Sequence, residues 1–217
     1  MITLFDLSGK NDLRFSPYCW RVKYLLNFRK ITYQTKPTCF TERLNNAFFG
    51  DAKLPTITDN GIKISNSFNI AEHIENKYVD IDQRIINSEN KSSLYFINHW
   101  SDHFLNASIL ERVAYDIISV LDDRDIEYFI ESRSKRFGMS PKDFQACNMK
   151  KSENSFYKCC NFLDKILENQ RYLLGKLRWR NEHFSHFGRS PNNFLRLDHS
   201  VCYEFAQNRC YKQFFVR

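Results

Sequence analysis

The sequence lacks long apolar runs and opens without a targeting signal. No stretch of its 217 residues approaches 18 apolar residues, and the opening MITLFDLSGK has no cationic segment followed by a long apolar one. A membrane-spanning helix and a secretory leader are therefore not expected. With 217 residues, of which 42% are hydrophobic, the chain can still bury a core of the size that an enzyme needs. We expect a soluble, cytoplasmic protein with no membrane partner.

Paired cysteine motifs are also absent. The seven cysteines are odd in number and scattered, and no CxxC or CxxH spacing occurs among them. A chain of this length does not need disulfides, so we expect free thiols in a reducing compartment. His99 and His103 stand four residues apart, which suits two ligands on a helix, but the pattern is more typical of a polar helix face. We expect no metal site.

The net charge of +7 is unevenly distributed. Residues 176–217 hold eight basic and three acidic residues, and so supply five of the seven net positive charges. The first 175 residues are close to neutral for their number. The basic charge is thus local to the C-terminal end and does not favour a general nucleic-acid interface, so we expect no nucleic-acid partner; binding through residues 176–217 is the alternative hypothesis.

Strand and helix patterns alternate up to residue 79. They predict, in order, a strand over 2–7, a helix over 16–29, a strand over 31–35, a loop or short helix over 36–52, a hairpin in LPTITDNGIKIS, and a helix opened by Asn66 and Ser67. Asp59, Asn60 and Gly61 have the turn chemistry of a tight hairpin. These elements make an α/β domain over residues 1–80.

Strand patterns stop after residue 79. A polar linker follows, and from about residue 88 apolar side chains recur at helical spacing. Ser140, Pro141 and Asp143 predict a further helix start, with a serine cap, a proline in the first position and an acid in the third. We therefore expect an all-α second domain over residues 88–217.

The segment FSPYCWRV begins the first helix. Ser16 before Pro17 is a complete helix start by itself, because the serine accepts a hydrogen bond from a first-turn amide and the proline loses no bond there. A helix N-terminus is also an anion site. A hydroxyl that donates to a thiolate stabilises it by about 1.5 to 3 kcal/mol, so Ser16 also suits a donor to sulfur.

Three motifs in the order FSPYCWRV, KLPTIT with an Asn-Gly hairpin, and ISNSFNIAEHIENKY resemble the N-terminal domain of glutathione transferases. SPYCW also resembles the CPYC site of glutaredoxins with serine in place of the first cysteine. The resemblance implies a thioredoxin-like domain, a helical second domain and a homodimer. It also implies a detoxifying enzyme in which glutathione attacks an electrophile.

The same resemblance implies roles for single residues. Ser16 stands where the family places the hydrogen-bond donor to the glutathione sulfur. Leu54 stands where the backbone pairs with the cysteinyl part of glutathione, before a cis Pro55. Lys53 stands where a side chain meets the glycyl carboxylate, although an ordinary solvated lysine explains it equally.

Two further implications concern affinity and redox chemistry. Asn66 and Ser67 stand where a helix N-terminus receives the γ-glutamyl part of glutathione. Many relatives have a carboxylate at the first position, and Asn66 offers no charge to the ammonium group. Cys19 lies one turn inside the first helix: if buried it is inert, and if exposed beside glutathione it supports disulfide exchange.

DIEYFIESRSKRFGM, residues 125–139, resembles a segment of the fungal and bacterial subgroup that includes relatives of the lignin beta-etherases. The resemblance continues to RYLLGK and stops near residue 175. Where the family has a small-residue helix with a Ser/Thr-x-x-Asp capping box, this chain has KLRWRNEHFSHFGRSPNNFLRLDHS. We hypothesise an altered reading frame or divergent exon end over residues 176–217, which leaves the helical domain incomplete. The alternative is a lone helix over 199–212.

Two classes of function stay open. The first is a glutathione transferase that conjugates or reductively cleaves a small hydrophobic electrophile, with glutathione as co-substrate. Glutathione-dependent thiol-disulfide exchange through Cys19 is its enzymatic alternative. The second class is a non-catalytic relative that binds glutathione or a partner through the same fold.

Overall fold

The computed structural model describes residues 1–170 and 173. Four strands and seven α-helices lie within them. In chain order these are β1 (Ile2–Leu7), α1 (Pro17–Phe28), β2 (Tyr33–Thr38), α2 (Phe40–Asn45), β3 (Thr56–Asp59), β4 (Ile62–Ser65), α3 (Ser67–Tyr78), α4 (Lys91–Trp100), α5 (Asn106–Val113), α6 (Ile126–Phe137) and α7 (Pro141–Leu167). A π-helical turn, Ser101–Leu105, joins α4 to α5. Short 3-10 turns cover Lys10–Asp12, Ile81–Gln83, Asp116–Val120 and Asp123–Asp125.

The four strands form one mixed sheet in the order β2-β1-β3-β4. β1 is parallel to β2, so that Ile2 lies opposite Tyr33, and it is antiparallel to β3. β3 and β4 form the predicted hairpin. Its turn residues, Asn60 and Gly61, have positive φ angles of 49° and 85°, a conformation that the Asn-Gly pair adopts at low cost.

The core of the sheet-bearing part lies between the sheet and helices α1 and α3. Side chains alternate between the two faces of a strand, so alternate residues of β1 reach these helices. The core cluster consists of Ile2, Leu4, Val22, Leu26, Ile57, Ile70 and Ile74. Phe5 packs outside this cluster against Phe48 and Phe49, with ring centroids 5.1 and 5.2 Å away. A β-α-β unit completed by a hairpin and a helix is the thioredoxin-like fold that the sequence predicted.

β2 lies further along the chain than predicted. It covers Tyr33–Thr38 rather than 31–35 and includes Pro37. β2 is an edge strand, where a proline can face solvent without removing a ladder hydrogen bond. The short helix that the sequence left open within 36–52 is α2, with six residues.

From Lys91 to Leu167, every regular element that the structure describes is helical, as expected. Ser140 caps α7: its Oγ accepts from the Asp143 amide at 3.1 Å and donates to Asp143 Oδ2 at 2.7 Å. α6 ends at Gly138, which takes the left-handed conformation with φ of 72° that favours glycine. Among the described helices, none is long and apolar enough to cross a bilayer.

The chain divides into two compact units, Met1–Phe162 and Leu163–Arg217. The expected domain boundaries, 1–80 and 88–217, stay predictions. Residues 176–217 lie outside the described residues, and with them the hypothesis of a changed reading frame and the alternative helix over 199–212.

Candidate functional site

The predicted site residues lie along one edge of the sheet, the edge formed where β1 ends, β3 begins and β4 ends. Helix α1 starts from this edge, because it is the connection from β1 back to the parallel strand β2. The register places Phe5 opposite Thr56 and Thr56 opposite Ser65. Residues 53–55, just before β3, and residues 66–67, just after β4, therefore lie at the same edge. Their functional roles stay predictions.

Ser16 is the N-cap residue of α1. Its Oγ accepts a hydrogen bond from the Cys19 amide at 3.3 Å, and Pro17 occupies the first helical position. The residue is only 5% exposed. A serine hydroxyl can accept and donate at the same time, and the Ser16 side chain also forms a hydrogen bond with the Cys19 thiol. Ser16 is thus the helix cap that the sequence predicted, and it also places a donor where the helix dipole favours an anion.

A buried carboxylate with two cations lies next to the start of α1. Asp6 is fully buried near the end of β1, and its Oδ2 lies 3.0 Å from Arg14 Nη1 and 2.8 Å from Lys23 Nζ. Lys23 Nζ also lies 3.7 Å from the centroid of the Trp20 ring. Arg14 contacts the exposed Asp12 as well, but solvent screens that charge. The two cations thus pair with the buried Asp6 carboxylate, and the Lys23 ion pair ties α1 to the end of β1.

Cys19 is fully buried in the first turn of α1. Its Sγ accepts a weak hydrogen bond from the Leu7 amide at 3.5 Å. Burial, reinforced by the negative charge of Asp6, raises the pKa of the Cys19 thiol to about 12. Because the thiolate is the nucleophile, this environment disfavours disulfide exchange through Cys19 and favours a packing role. The cysteines that the structure describes, at positions 19, 39, 147, 159 and 160, are free thiols, as expected.

Cys19 is expected to resist alkylation in the native protein. At about pH 8, iodoacetamide should label the exposed Cys147 roughly 100-fold faster than Cys19, because a thiol with raised pKa and no solvent access is almost never a reachable thiolate. Peptide mass spectrometry after timed labelling measures both rates. In urea the two residues should react alike; equal rates in the native state would contradict the expectation.

The Leu54–Pro55 peptide bond is cis, as the resemblance implies. Pro55 is buried and Lys53 is exposed. The backbone between them is fixed from the strand side, since Thr56 Oγ1 donates to the Lys53 carbonyl at 2.9 Å. Lys53 thus has an exposed side chain, while its backbone is held in place beside the start of β3.

Asn66 caps α3 with its side chain. Its Oδ1 accepts from the amides of Phe68 at 2.9 Å and Asn69 at 3.4 Å. Its φ of 74° with ψ of 125° lies outside the regions that residues other than glycine favour, so the backbone is strained there. Helix capping therefore accounts for Asn66 locally, and its carboxamide brings no charge for an ammonium group. Ser67 follows as the first residue of α3 and is buried.

Two residues that hold this edge have no signature in the sequence. Asp125 is fully buried and accepts hydrogen bonds from the start of α2, 85 positions earlier in the chain. Arg43 of α2 donates from Nη1 to the Ala52 carbonyl at 3.1 Å. Capping and periodicity rules act over a few neighbouring residues, so no local pattern signals a cap that comes from a distant turn.

Within the described residues, no group of three or more His, Cys, Asp or Glu side chains is arranged to hold a metal ion. The rings of His99 and His103 have centroids 5.5 Å apart, and His103 Nδ1 donates to the His99 carbonyl at 2.9 Å. The pair thus has a local structural explanation, in line with a polar helix face.

Comparison with known proteins gives the same fold. Residues 12–81 match the family model of the glutathione S-transferase N-terminal domain. A glutathione S-transferase of Ceriporiopsis subvermispora, solved in complex with glutathione, is 20% identical and aligns over 81% of this chain and 78% of its own, with a TM-score of 0.70.

Two structures from Phanerochaete chrysosporium are also similar. The glutathione transferase GSTFuA3 is 18% identical over 81% of this chain and 77% of its own, with a TM-score of 0.70. GSTFuA2 is 15% identical over 98% of this chain and 90% of its own, with a TM-score of 0.74. At these identities the likeness establishes the fold: a thioredoxin-like domain followed by helices, as in glutathione transferases.

Proposed function

We propose that this chain is a glutathione transferase. It binds glutathione at the carboxyl end of β1, holds the sulfur as a thiolate beside Ser16, and directs it at a small hydrophobic electrophile. The observation that carries the proposal is the Ser16 hydroxyl: it is 5% exposed, it lies at the N-terminus of α1, and its oxygen accepts from the Cys19 amide. The family match over residues 12–81 supports it, as does the similar fungal structure solved with glutathione.

Two contributions stabilise the thiolate in this proposal. Lowering a thiol pKa by two units from about 8.5 requires about 2.7 kcal/mol. One hydroxyl that donates to a charged sulfur supplies about 1.5 to 3 kcal/mol, and the positive end of a helix supplies about 0.3 to 1 kcal/mol. The sum reaches the required range without a catalytic base. The sulfur then bonds to the electrophilic carbon, and the leaving group departs with its electron pair.

Three segments at the same edge bind the remainder of glutathione in this proposal. The Leu54 backbone pairs with the cysteinyl part in the manner of an added strand. The exposed Lys53 ammonium meets the glycyl carboxylate. The γ-glutamyl carboxylate binds at the start of α3 near Ser67, where helix amides and the dipole favour an anion.

We propose a finer assignment for the reaction and the assembly. The resemblance of residues 125–139 to relatives of the lignin beta-etherases supports conjugation or the reductive cleavage of an ether or thioether. We also propose that the chain works as a homodimer in the cytoplasm, in detoxification. Purified protein run on size-exclusion chromatography with light scattering tests the dimer, and a panel of aryl ethers tests the reaction.

A non-catalytic glutathione-binding protein is the second candidate. One observation favours it: Asn66 offers no charge to the γ-glutamyl ammonium group, and its Oδ1 already accepts from two amides of α3. Exchange through Cys19 is not favoured, because the thiol is buried and its pKa is raised.

The experiment that separates these functions uses the full chain. The protein is applied to immobilised glutathione, eluted with free glutathione, and assayed with glutathione and a chlorodinitrobenzene. Retention with turnover supports the transferase. Retention without turnover of this compound or of the aryl ethers selects the binding protein, and failure to bind excludes both.

Asn66→Asp is expected to lower the glutathione KM about 5-fold. The new carboxylate pairs with the ammonium group, and a partly exposed ion pair contributes up to about 1 kcal/mol. Aspartate caps a helix as well as asparagine does and has nearly the same size, so α3 is kept. Initial rates at varied glutathione concentration measure the change.

Asn60→Asp is the matched control for that prediction. Asn60 is also exposed and also has positive φ, 49°, but it lies in the β3–β4 turn at the opposite end of those strands. Its substitution adds the same charge away from the edge and should leave the glutathione KM unchanged. An equal drop in both variants would show a general charge effect and would remove the assigned role of position 66.

A further inference from the structure

We propose that Asp125 is a positioning residue for glutathione. Its carboxylate holds the start of α2, and α2 in turn holds the backbone that leads into Leu54 and Pro55. This inference rests on the proposed function, because it assigns a role to Asp125 at the same glutathione site. It makes a residue far along the chain responsible for the shape of that site.

The Asp125 carboxylate supplies the cap that α2 lacks locally. Cys39, in the N-cap position, makes no side-chain cap hydrogen bond. Asp125 Oδ2 accepts from the Phe40 amide at 2.6 Å, and Asp125 Oδ1 accepts from the Thr41 amide at 2.8 Å and from Thr41 Oγ1 at 2.7 Å. A helix of six residues is marginal by itself, so three charge-assisted bonds at its first turn decide where it lies.

Arg43 links α2 to the segment 52–55 that precedes β3. It lies one turn into α2, and its Nη1 donates to the Ala52 carbonyl at 3.1 Å. Ala52 directly precedes Lys53, whose carbonyl accepts from Thr56 Oγ1 at 2.9 Å. The segment 52–55 is thus fixed on the sheet side by Thr56 and on the helix side by Arg43. Losing the helix-side anchor lets the binding backbone shift relative to β3.

Asp125 itself is held by packing between α2 and α6. It directly precedes the first residue of α6 and is fully buried. The Phe40 ring packs against Tyr128, with centroids 5.9 Å apart. The Arg133 guanidinium carbon lies 5.7 Å from the centroid of the Phe40 ring and 4.8 Å from that of Phe129. These contacts between α2 and α6 hold the Asp125 carboxylate in position at the start of α2.

The test compares Asp125→Ala with Asp123→Ala in the full chain. Asp123 lies in the same turn, its side chain is 82% exposed, and it pairs with Lys10 at the surface. Asp125→Ala is expected to raise the glutathione KM and the calorimetric Kd about 10-fold, because binding then includes the cost of ordering the loop. The value of kcat at saturating glutathione, the electrophile KM and the bound thiol pKa should stay unchanged, since Ser16 and α1 are not touched. Asp123→Ala should change none of these.

Arg43→Gln tests the same chain of contacts with a smaller change, because it removes only the anchor to Ala52. It is expected to raise the glutathione KM about 5-fold while the fold is kept, as checked by circular dichroism. In a double-mutant cycle the two substitutions should be non-additive, because they cut one chain of contacts. If Asp125→Ala does not fold, the cycle is run with Asp125→Asn, which keeps a single acceptor oxygen.

The outcomes separate this inference from the function on which it rests. Unchanged glutathione affinity in folded Asp125→Ala, or additive effects in the cycle, overturns the role of Asp125 and leaves the transferase standing. A parallel fall in kcat at saturating glutathione marks general damage and also overturns it. If the unmodified chain binds no glutathione in the calorimeter, the proposed function fails, and this inference fails with it.

Discussion

Ser16→Ala is expected to lower kcat/KM for conjugation about 10- to 100-fold and to raise the pKa of the bound glutathione thiol by about one to two units. The reason is the loss of one hydroxyl donor to a charged sulfur at a site that is 5% exposed, where water does not replace the donor. The N-terminus of α1 remains, so part of the thiolate stabilisation should persist. The ultraviolet absorbance of bound thiolate as a function of pH measures the shift directly.

Ser140→Ala is the matched control for this prediction. Ser140 caps α7 in the same way that Ser16 caps α1, with a proline in the first position and an amide bond to Oγ at 3.1 Å compared with 3.3 Å. Each alanine variant should lose about 1 kcal/mol of stability from its cap. Only Ser16→Ala should change the thiol titration. An unchanged titration in Ser16→Ala would remove the proposed catalytic role and leave the fold as it is.

Asp59→Asn is expected to reduce the free energy of unfolding by about 3 kcal/mol. Asp59 ends β3 and is fully buried. Its carboxylate accepts from three side chains of α3: from His73 Nε2 at 2.7 Å, Lys77 Nζ at 2.6 Å and Tyr78 Oη at 2.7 Å. An amide in its place keeps one acceptor oxygen but turns a donor toward the other partners. Urea unfolding of the full chain measures the loss.

The hydrogen bonds around Asp59 also make the free energy of unfolding depend on pH in the acidic range. Burial by itself raises the pKa of the Asp59 carboxyl, but the hydrogen bonds from its three α3 partners outweigh burial and lower the pKa from 3.8 to about 2. A carboxyl whose pKa is lower in the folded state stabilises that state fully above the unfolded value. This contribution should therefore be present above pH 4 and should disappear as the pH falls from about 4 to about 2.

The difference between the native chain and Asp59→Asn isolates that contribution. Other carboxyl groups titrate in both proteins and cancel, so the gap in unfolding free energy should shrink across this pH window. Asp51→Asn, a change at an exposed aspartate before β3, is the control and should show no gap at any pH. A gap for Asp59→Asn that stays constant down to about pH 2 would contradict the assigned pKa.

The sheet-bearing part of the fold was predictable because its signals are local. The Asn60-Gly61 turn, the Ser16-Pro17 helix start and the Asn66 cap each act within four residues, and all three appear as predicted. β2 was misplaced, because a proline looks like a strand end until its edge position is known.

The candidate site was only partly predictable. The order of the motifs indicated which residues lie at one edge, and the sheet register places them there. The clusters around Asp6, Asp59 and Asp125 had no signature, because each joins partners that are distant in sequence.

What the sequence determined by itself is the series of elements up to residue 79 and the placement of a serine hydroxyl at a helix N-terminus. These follow from backbone rules that operate between near neighbours. Only the tertiary structure decided that Cys19 is a buried, protonated thiol and that α2 is capped from Asp125. Desolvation and long-range hydrogen bonds depend on which elements pack together, and that information does not reside in any short stretch of the chain.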